Sequence, residues 1–182
     1  MQFSPTTLPG ILLIEPQVFG DSRGFFMESF RRELFAEAGI PELVQDNHSR
    51  SVKNTLRGLH FQHPNGQGKL IRVVGGTVFD VLVDVREGSP TFGQWEGHWL
   101  SDENHRQLWV PPGFAHGFCV ASDTADFLYK CSEYYHPESE HTLLWNDPAV
   151  GVQWPVDEPI LSEKDQRGVP LQGLPELPPF LG

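Results

Sequence analysis

The sequence has few cysteines and little positive charge, and both shortages narrow its possible functions. Only Cys119 and Cys131 occur among 182 residues, and their spacing fits neither a disulfide framework nor a metal knuckle. We interpret both as reduced structural thiols. Thirteen Lys and Arg residues oppose 24 Asp and Glu residues, giving a net charge of -11. This balance disfavours binding to nucleic-acid phosphates, although a pocket on an acidic protein can be locally basic.

Long apolar runs are also missing. No stretch approaches the roughly 18 apolar residues of a membrane-spanning helix. The first residues, MQFSPTTLPGILLIEP, lack the basic region and long apolar segment of a secretory signal, so we expect a cytoplasmic protein. The length fits one domain with one core. We therefore predict a single domain over residues 1–182, without a linker or an internal repeat.

Glycine and proline are plentiful and evenly spread, with 18 Gly and 16 Pro, which is typical of short strands joined by tight turns. β-Branched runs at 70–74 and 77–85 predict two strands, joined as a hairpin by Gly75 and Gly76. Turn signals about every ten residues favour a barrel or sandwich. Four further strands are predicted at residues 94–100, 107–110, 117–122 and 125–134.

Helical signal is confined to short stretches. The best lies at residues 33–38, where good helix formers precede Gly39, a residue type that commonly ends helices. From about residue 168 the chain is rich in proline. We predict that this tail is irregular, and either extended or loose.

Eight histidines raise the possibility of a metal site, because imidazole is a common metal ligand. A metal-binding cupin would use His60, His63 and His116. However, His60 and His63 are three residues apart, so on a regular strand they would face opposite ways. No Glu follows them at the spacing that metal cupins use. This pattern disfavours a metal site.

A second cluster combines one imidazole with two cations. Arg57, His60 and Lys69 lie within thirteen residues, on either side of a loop at 63–68, so two strands can present them to one pocket. Arg57 and His60 are three apart, which requires a bulge, twist or strand end between them. Alternatively, Arg57 and Lys69 are solvated surface charges.

Two further segments carry polar groups suited to a ligand. Residues 44–51 (VQDNHSRS) lack strand periodicity and offer side-chain amides that can bind hydroxyl groups. Residues 21–28 (DSRGFFME) combine a turn signal with an Arg, two aromatic residues and a Glu. Alone, this second segment indicates only a hairpin followed by a strand.

Taken together, these segments closely resemble the dTDP-4-dehydrorhamnose 3,5-epimerases. The order and spacing of the motifs over nearly 150 residues carry the resemblance. It implies a metal-free, cofactor-independent, all-β cupin-type jelly roll with a few short helices, dimerised by exchange of amino-terminal strands. The implied substrate is dTDP-4-dehydro-6-deoxyglucose. The matching segments are DSRGFFME (21–28), VQDNHS (44–49), LRGLHFQ (56–62), GKLIRV (68–73), VPPGFAHGF (110–118), YK (129–130), YY (134–135), WNDP (145–148) and LSEKD (161–165).

The resemblance also implies roles for individual residues. It makes His60 the general base, Asp165 the carboxylate that orients it, Tyr129 the general acid and Lys69 the cation near the developing enolate. Tyr135 matches the aromatic side chain that stacks on thymine. Some binding residues would come from the partner subunit. The matching substrate-binding positions are Arg23, Glu28, Gln45, Asn47, Arg57, His116, Tyr135, Glu140 and Lys164.

These roles suit proton abstraction next to a ketone, which needs a base at carbon and positive charge at oxygen. A buried carboxylate beside His60 should raise the pKa of the imidazole and hold one tautomer. The sequence departs from the family at His141, where Gly is common, and relatives that epimerise a single carbon keep much of the pattern. Two alternatives stay open: a metal-dependent cupin isomerase or dioxygenase, and a non-catalytic sugar-binding cupin. The joint presence of His60, Tyr129 and Asp165 argues against the second.

Overall fold

The computed structural model describes residues 1–181. Strands dominate, and the only α-helices in this range are short, with six and four residues. The elements are β1 (Gln2–Pro5), β2 (Leu12–Glu15), β3 (Val18–Asp21), β4 (Gly24–Met27), α1 (Arg32–Glu37), β5 (Gln45–Val52), β6 (Leu56–Gln62), β7 (Lys69–Gly75), β8 (Thr77–Asp84), β9 (Trp95–Ser101), β10 (Gln107–Val110), β11 (Phe114–Val120), β12 (Thr124–Cys131), β13 (Glu140–Thr142) and α2 (Glu163–Gln166), with 3-10 turns at Pro137–Ser139 and Leu171–Gly173.

The strands form two antiparallel sheets that face each other. The six-stranded sheet has the order β1-β2-β10-β7-β12-β5, and the five-stranded sheet has the order β13-β6-β11-β8-β9. From β9 to β12 the chain crosses between the sheets at every step, as in a jelly roll. The prediction of an all-β, cupin-type jelly roll is therefore confirmed. β3 and β4 pair only with each other, as a separate hairpin.

The predicted hairpin between residues 70–74 and 77–85 is wrong, although both strands exist. β7 pairs with β10 and β12, whereas β8 pairs with β9 and β11. Gly75 and Gly76 instead carry the chain from one sheet to the other. Gly76 has φ +76°, and a Cβ there would clash with the carbonyl oxygen of Thr124. The Gly-Gly pattern marks a sharp change of direction, but it does not specify the pairing partner.

The polar segment at 44–51 is also structured differently from expectation, because most of it forms β5. Exposure alternates along this strand, with one face toward the sandwich interior and the other toward solvent. Its hidden face carries amides and hydroxyls rather than apolar side chains, which removes the hydrophobic alternation that marks most strands. The other predicted strands are present, and β11 begins earlier, at Phe114.

An apolar core fills one end of the space between the sheets. Leu82 and Phe114 from the five-stranded sheet pack there with Ile71, Leu108 and Phe127 from the six-stranded sheet, and all five are buried. Burial of such side chains contributes about 1.5 to 3 kcal/mol each. The same space becomes polar at its other end, where the candidate site lies.

The carboxy-terminal segments cover the outer face of the five-stranded sheet. Leu171 is buried there against outward-facing Val83 and Leu143. Beyond it, the amide of Phe180 donates to the carbonyl of Glu87 at 2.9 Å. The Pro-rich tail thus packs against the barrel and includes the 3-10 turn at Leu171–Gly173.

The helix predicted at 33–38 is α1, shifted by one residue, and Gly39 follows with φ +83°. The longest α-helix within residues 1–181 has six residues, far short of the length that crosses a bilayer.

Candidate active site

A cavity of about 520 Å³ opens between the two sheets. β5, β7 and β12 form one wall, β6 and β11 form the other, and β13 and α2 close its side. Eleven of the thirteen predicted site residues line this cavity: Gln45, Asn47, Arg57, His60, Lys69, His116, Tyr129, Tyr135, Glu140, Lys164 and Asp165. The topology therefore brings together side chains that are up to 120 positions apart in the sequence.

A β-bulge explains how Arg57 and His60 both reach the cavity. His60 is opposite His116 and Arg57 is opposite Phe118, so three steps on β6 match two on β11. Gly58, with φ +130°, occupies the bulge, and a Cβ there would lie 2.6 Å from Cα of Gly117. Only glycine allows this approach. The bulge restores a common facing direction to two residues with the wrong spacing for a regular strand.

His60 and Asp165 form a tight pair. Nε2 of His60 lies 2.6 Å from Oδ1 of Asp165, although the residues are 105 positions apart. The carboxylate is buried, and its other oxygen accepts a hydrogen bond from the Ser162 hydroxyl at 2.7 Å. Because an ionised carboxylate only accepts, it fixes the neutral imidazole with hydrogen on Nε2 and the lone pair on Nδ1. Within residues 1–181, Nδ1 makes no hydrogen bond.

Burial and hydrogen bonding together set the charge state of this pair. Burial lowers the pKa of His60 below its ordinary value of 6.5, although the hydrogen bond to Asp165 acts in the opposite direction. The carboxylate acts in the predicted direction, but desolvation of the imidazolium outweighs it, so the net shift of this pKa is downward. Burial would raise the pKa of Asp165, but the hydrogen bonds from His60 and Ser162 lower it overall. At neutral pH the pair is a neutral imidazole beside a carboxylate.

A second imidazole–carboxylate pair lies on the same wall. Nε2 of His116 is 2.8 Å from Oδ2 of Asp80, whose carboxylate is completely buried in the sheet. The side chain of His116 is 8% exposed, whereas that of His60 is 24% exposed. The ring of His116 also stacks at 6.0 Å on Phe127. His116 is therefore the more enclosed of the two imidazoles.

Lys69 and Tyr129 lie on the opposite wall, on the neighbouring strands β7 and β12. Neither side chain forms an ion pair or a hydrogen bond with any of the 181 residues that the structure describes. Burial lowers the pKa of Lys69 below 10.5 and raises the pKa of Tyr129 above 10.0. The pocket thus holds an ammonium and a phenol whose polar atoms are free for a ligand.

Side-chain amides line the cavity along β5. Nε2 of Gln45 donates to Oδ1 of Asn47 at 3.3 Å, and Oε1 of Gln45 accepts from the amide of Tyr135 at 3.0 Å. Nδ2 of Asn47 contacts Sγ of Cys131 at 3.6 Å. Nearby, Nε of Arg57 donates to Ser51 at 3.0 Å, and the two outer guanidinium nitrogens make no hydrogen bond within residues 1–181.

Glu140 links two other predicted site residues at the side of the cavity. Its carboxylate accepts hydrogen bonds from the Tyr135 hydroxyl and from Nζ of Lys164, both at 2.8 Å. Burial would raise the pKa of Glu140, but these two bonds lower it overall. The hydrogen bond to Glu140 raises the pKa of Tyr135. Glu140 therefore stays ionised and holds the Tyr135 ring and the Lys164 ammonium in place.

Two predicted binding residues do not reach the cavity. Arg23 is exposed at the turn of the β3–β4 hairpin and pairs with Asp21, while Glu28 follows the hairpin and pairs with Arg31. His63, the second ligand of the metal alternative, also lies outside the cavity lining. Among residues 1–181, no three His, Cys, Asp or Glu side chains are arranged to hold a metal ion.

Two side-chain contacts that hold cavity residues in place were not predicted from the sequence. Asp80 holds His116, and Ser162 holds Asp165. Asp80 sits in an otherwise apolar run, and such a charge is rarely buried without a partner. Ser162 and Asp165 have the spacing of a helix capping box, a signal that was available in the sequence.

Comparison with known proteins gives a consistent result. The family model for dTDP-4-dehydrorhamnose 3,5-epimerase matches residues 5–173. The enzyme of that name from Neisseria gonorrhoeae is 58% identical over 170 residues, which cover 92% of this chain and 52% of that protein. The chain thus spans about half the length of that relative. The enzyme of the same name from Shigella flexneri is 56% identical over 171 residues, covering 92% of this chain and 94% of that protein.

Solved structures agree with these matches. The crystal structure of a dTDP-6-deoxy-D-glucose-3,5-epimerase from Legionella pneumophila, in complex with dTDP-4-keto-L-rhamnose, has a TM-score of 0.95 and 50% sequence identity. The match covers 100% of this chain and 99% of that one.

Proposed function

This chain belongs to the dTDP-4-dehydrorhamnose 3,5-epimerase family, and we propose that it inverts carbons 3 and 5 of dTDP-4-dehydro-6-deoxy-D-glucose. The product is dTDP-4-dehydro-L-rhamnose, in dTDP-L-rhamnose biosynthesis. One observation carries the proposal: His60 and Tyr129 belong to opposite sheets and line one cavity. Inversion at carbon requires a proton to leave one face and another to arrive at the opposite face.

The first step is removal of the proton from a carbon beside the 4-ketone. Nδ1 of His60 accepts this proton, because Asp165 holds the hydrogen of the neutral ring on Nε2. The carboxylate then stabilises the imidazolium that forms. The electron pair of the broken C–H bond delocalises onto the ketone oxygen, which becomes an enolate.

Lys69 stabilises the enolate. Its ammonium has no carboxylate partner within the described chain, so the oxygen of the substrate can become its partner. A preorganised cation in a partly buried pocket stabilises developing negative charge more strongly than water does.

Tyr129 completes the inversion by donating its hydroxyl proton to the carbon from the other face. The raised pKa of this tyrosine keeps it protonated at neutral pH. Carbons 3 and 5 both flank carbon 4, so one base and one acid serve each carbon in turn, after water has taken the proton from His60 and returned one to Tyr129. Proton transfer alone achieves the change, so the proposal includes no redox cofactor.

The remaining cavity residues suit a nucleotide sugar. Arg57 and Lys164 offer donors for a diphosphate or sugar oxygens, His116 offers its remaining ring nitrogen Nδ1, and the amides of Gln45 and Asn47 can bind hydroxyl groups. The half-exposed ring of Tyr135 offers a face on which thymine can stack. A single domain and a cytoplasmic location remain part of the proposal.

We further propose a homodimer in which each subunit lends its β3–β4 hairpin to the other. Three phenylalanines on this hairpin, Phe19, Phe25 and Phe26, are 56%, 60% and 70% exposed. An isolated two-stranded hairpin with an apolar surface is marginally stable alone. β5 is an eight-residue edge strand beside the cavity, and an unpaired edge readily accepts another strand. This arrangement would place Arg23 and Glu28 at the partner's site.

Heterodimers test the shared site directly. Chains carrying Arg23→Ala are co-expressed with chains carrying His60→Ala, under two different affinity tags, and the mixed dimer is purified. If Arg23 serves the partner's cavity, one complete site forms and about half of the wild-type activity returns. If Arg23 acts in its own subunit, both sites stay defective. Pairing His60→Ala with Asp165→Asn is the matched control, because both residues line one cavity and no complete site can form.

The function itself is tested by solvent exchange. The chelator-treated protein is incubated with dTDP-4-dehydro-6-deoxy-D-glucose in deuterated water and followed by proton NMR. We expect deuterium at both carbons 3 and 5, together with inversion. Deuterium at one carbon only would indicate a single-site epimerase. Absence of exchange, restored by added metal, would replace the proposal with the metal-dependent alternative.

A further inference from the structure

Asp165, the carboxylate partner of His60, lies on a very short helix. Helix α2 has only four residues, Glu163–Gln166, and Asp165 is its one buried residue. A single helical turn is not stable by itself, since nucleation costs more than one hydrogen bond returns. Other contacts must therefore fix the position and rotation of the Asp165 side chain.

Ser162 provides two of these contacts, and both involve Asp165. Its Oγ accepts a hydrogen bond from the backbone amide of Asp165 at 3.2 Å and donates to Oδ2 of the same residue at 2.7 Å. In a capping box, the acidic residue at this position turns back toward the first residue of the helix. Here the carboxylate instead points its Oδ1 at His60, while Ser162 holds the other oxygen.

We propose that Ser162 is a positioning residue for the His60–Asp165 dyad. Its hydroxyl fixes the rotation of the Asp165 carboxylate and draws negative charge toward Oδ2. The inference rests on the proposed function, in which His60 is the base. The serine hydroxyl stabilises the ionised carboxylate and limits the negative charge on Oδ1. A neutral His60 is the form that accepts the substrate proton, so this restraint favours the reactive state.

Other charges around His60 also affect its titration. Lys164 on α2 lowers the pKa of His60, and Glu140 on β13 raises it, as does Asp165 itself. His116 lies opposite His60 on β11. Substitution of Ser162 leaves all four groups in place. A change in the titration of His60 would therefore report on the serine–carboxylate bond.

The expected effects of Ser162→Ala have a definite direction. Loss of the hydroxyl removes a donor to ionised Asp165, so the pKa of Asp165 rises. More negative charge then falls on Oδ1, which stabilises the imidazolium and raises the pKa of His60. The acid limb of the kcat/KM profile moves to higher pH. We expect kcat to fall roughly 10-fold to 100-fold, the usual scale for a hydrogen bond to a charged group, with little change in KM.

The experiment compares Ser162→Ala, Ser162→Thr, Asp165→Asn and the double variant Ser162→Ala/Asp165→Asn. The pH profile, kcat and KM are measured for each, and the imidazole of His60 is titrated by NMR in Ser162→Ala, Ser162→Thr and wild type. Threonine keeps the hydroxyl, so it should restore both the titration and most of kcat. In the Asp165→Asn background the further loss of Ser162 should have almost no effect.

Three results would overturn the inference: an unshifted His60 titration in Ser162→Ala, a kcat close to wild type, or an equal loss of kcat in the Asp165→Asn background. If Ser162→Ala does not fold, Ser162→Gly replaces it, because glycine keeps most of the helix-start stability without a hydroxyl. Failure of the proposed function is a separate result, since it would appear as inactivity of the wild-type protein.

Discussion

The two walls of the cavity hold their polar groups in opposite ways. On the five-stranded sheet, His60 and His116 are each bonded to a buried carboxylate. On the six-stranded sheet, Lys69 and Tyr129 have no side-chain partner among residues 1–181. The two histidines are fixed before any ligand arrives, whereas Lys69 and Tyr129 have unused donors.

This difference indicates that the groups on the two walls have different roles. A base must present one tautomer at a defined angle, so a carboxylate partner helps it. A cation or acid that meets the substrate directly is better left without a protein partner, because an internal ion pair would compete with the ligand. The following substitutions test this contrast, from the largest expected effect to the smallest.

Replacing the two imidazoles should separate their roles most sharply. Glutamine can donate to the partner carboxylate but cannot accept a proton from carbon. We expect His60→Gln to lower kcat about 10,000-fold or more, whereas His116→Gln should lower it about 10-fold or less. Product formation followed by proton NMR measures both. Equal losses in the two variants would show that the imidazoles act together rather than in separate roles.

Tyr129→Phe removes the proposed acid and leaves the base intact. We expect kcat to fall about 100-fold to 10,000-fold. In deuterated water, His60 should still exchange the substrate hydrogen and return deuterium to the same face, giving exchange without inversion. Tyr134→Phe is the matched control, because Tyr134 is exposed and lies outside the cavity lining. Inversion at the wild-type rate in Tyr129→Phe would show that Tyr129 is not the general acid.

Lys69→Ala tests the unpaired cation. Loss of one group that stabilises an oxyanion commonly costs about 100-fold to 1,000-fold in kcat, and here hydrogen exchange and inversion should fall together. Lys130→Ala is the control from the other face of the same sheet, where Lys130 pairs with Asp46. If Lys69→Ala exchanged hydrogen normally, the enolate would have another stabilising group.

The dependence of kcat/KM on pH should be bell-shaped. The pKa of His60 is lowered, so the active neutral form is lost only as pH falls through a value below 6.5. The pKa of Lys69 is also lowered, so its charge is lost as pH rises through a value below 10.5. Each limb should change about 10-fold per pH unit. An acid limb centred above 6.5 would mean that Asp165 outweighs burial in the working enzyme.

The sequence predicted strands well where their hidden faces are apolar. β8 is a mostly apolar run, and in β12 buried apolar side chains alternate with less buried ones. Both strands contribute side chains to the core, so their positions could be predicted from hydrophobic periodicity. β5 escaped detection because its hidden face carries Gln45, Asn47 and Ser49, which line the cavity instead of the core. A strand that builds a polar site therefore lacks the usual sign of a strand.

The pairing partners of the strands were harder to predict than the positions of the strands in the sequence. The Gly75–Gly76 turn suggested a hairpin, but the partners of β7 and β8 are set by how two sheets close over one core. For the site, the resemblance named eleven residues that the cavity gathers. It assigned no role to Asp80 or Ser162, whose side chains bond to His116 and Asp165.

The bulge at Gly58 makes the site sensitive to insertions and deletions as well as to substitutions. Removing one residue from this part of β6 would regularise the strand and turn either Arg57 or His60 toward the outside, with every chemical group still present. Transplanting the same side chains onto a regular strand of another barrel should fail for the same reason. Graft designs must therefore copy the irregular backbone of residues 57–60 together with its side chains.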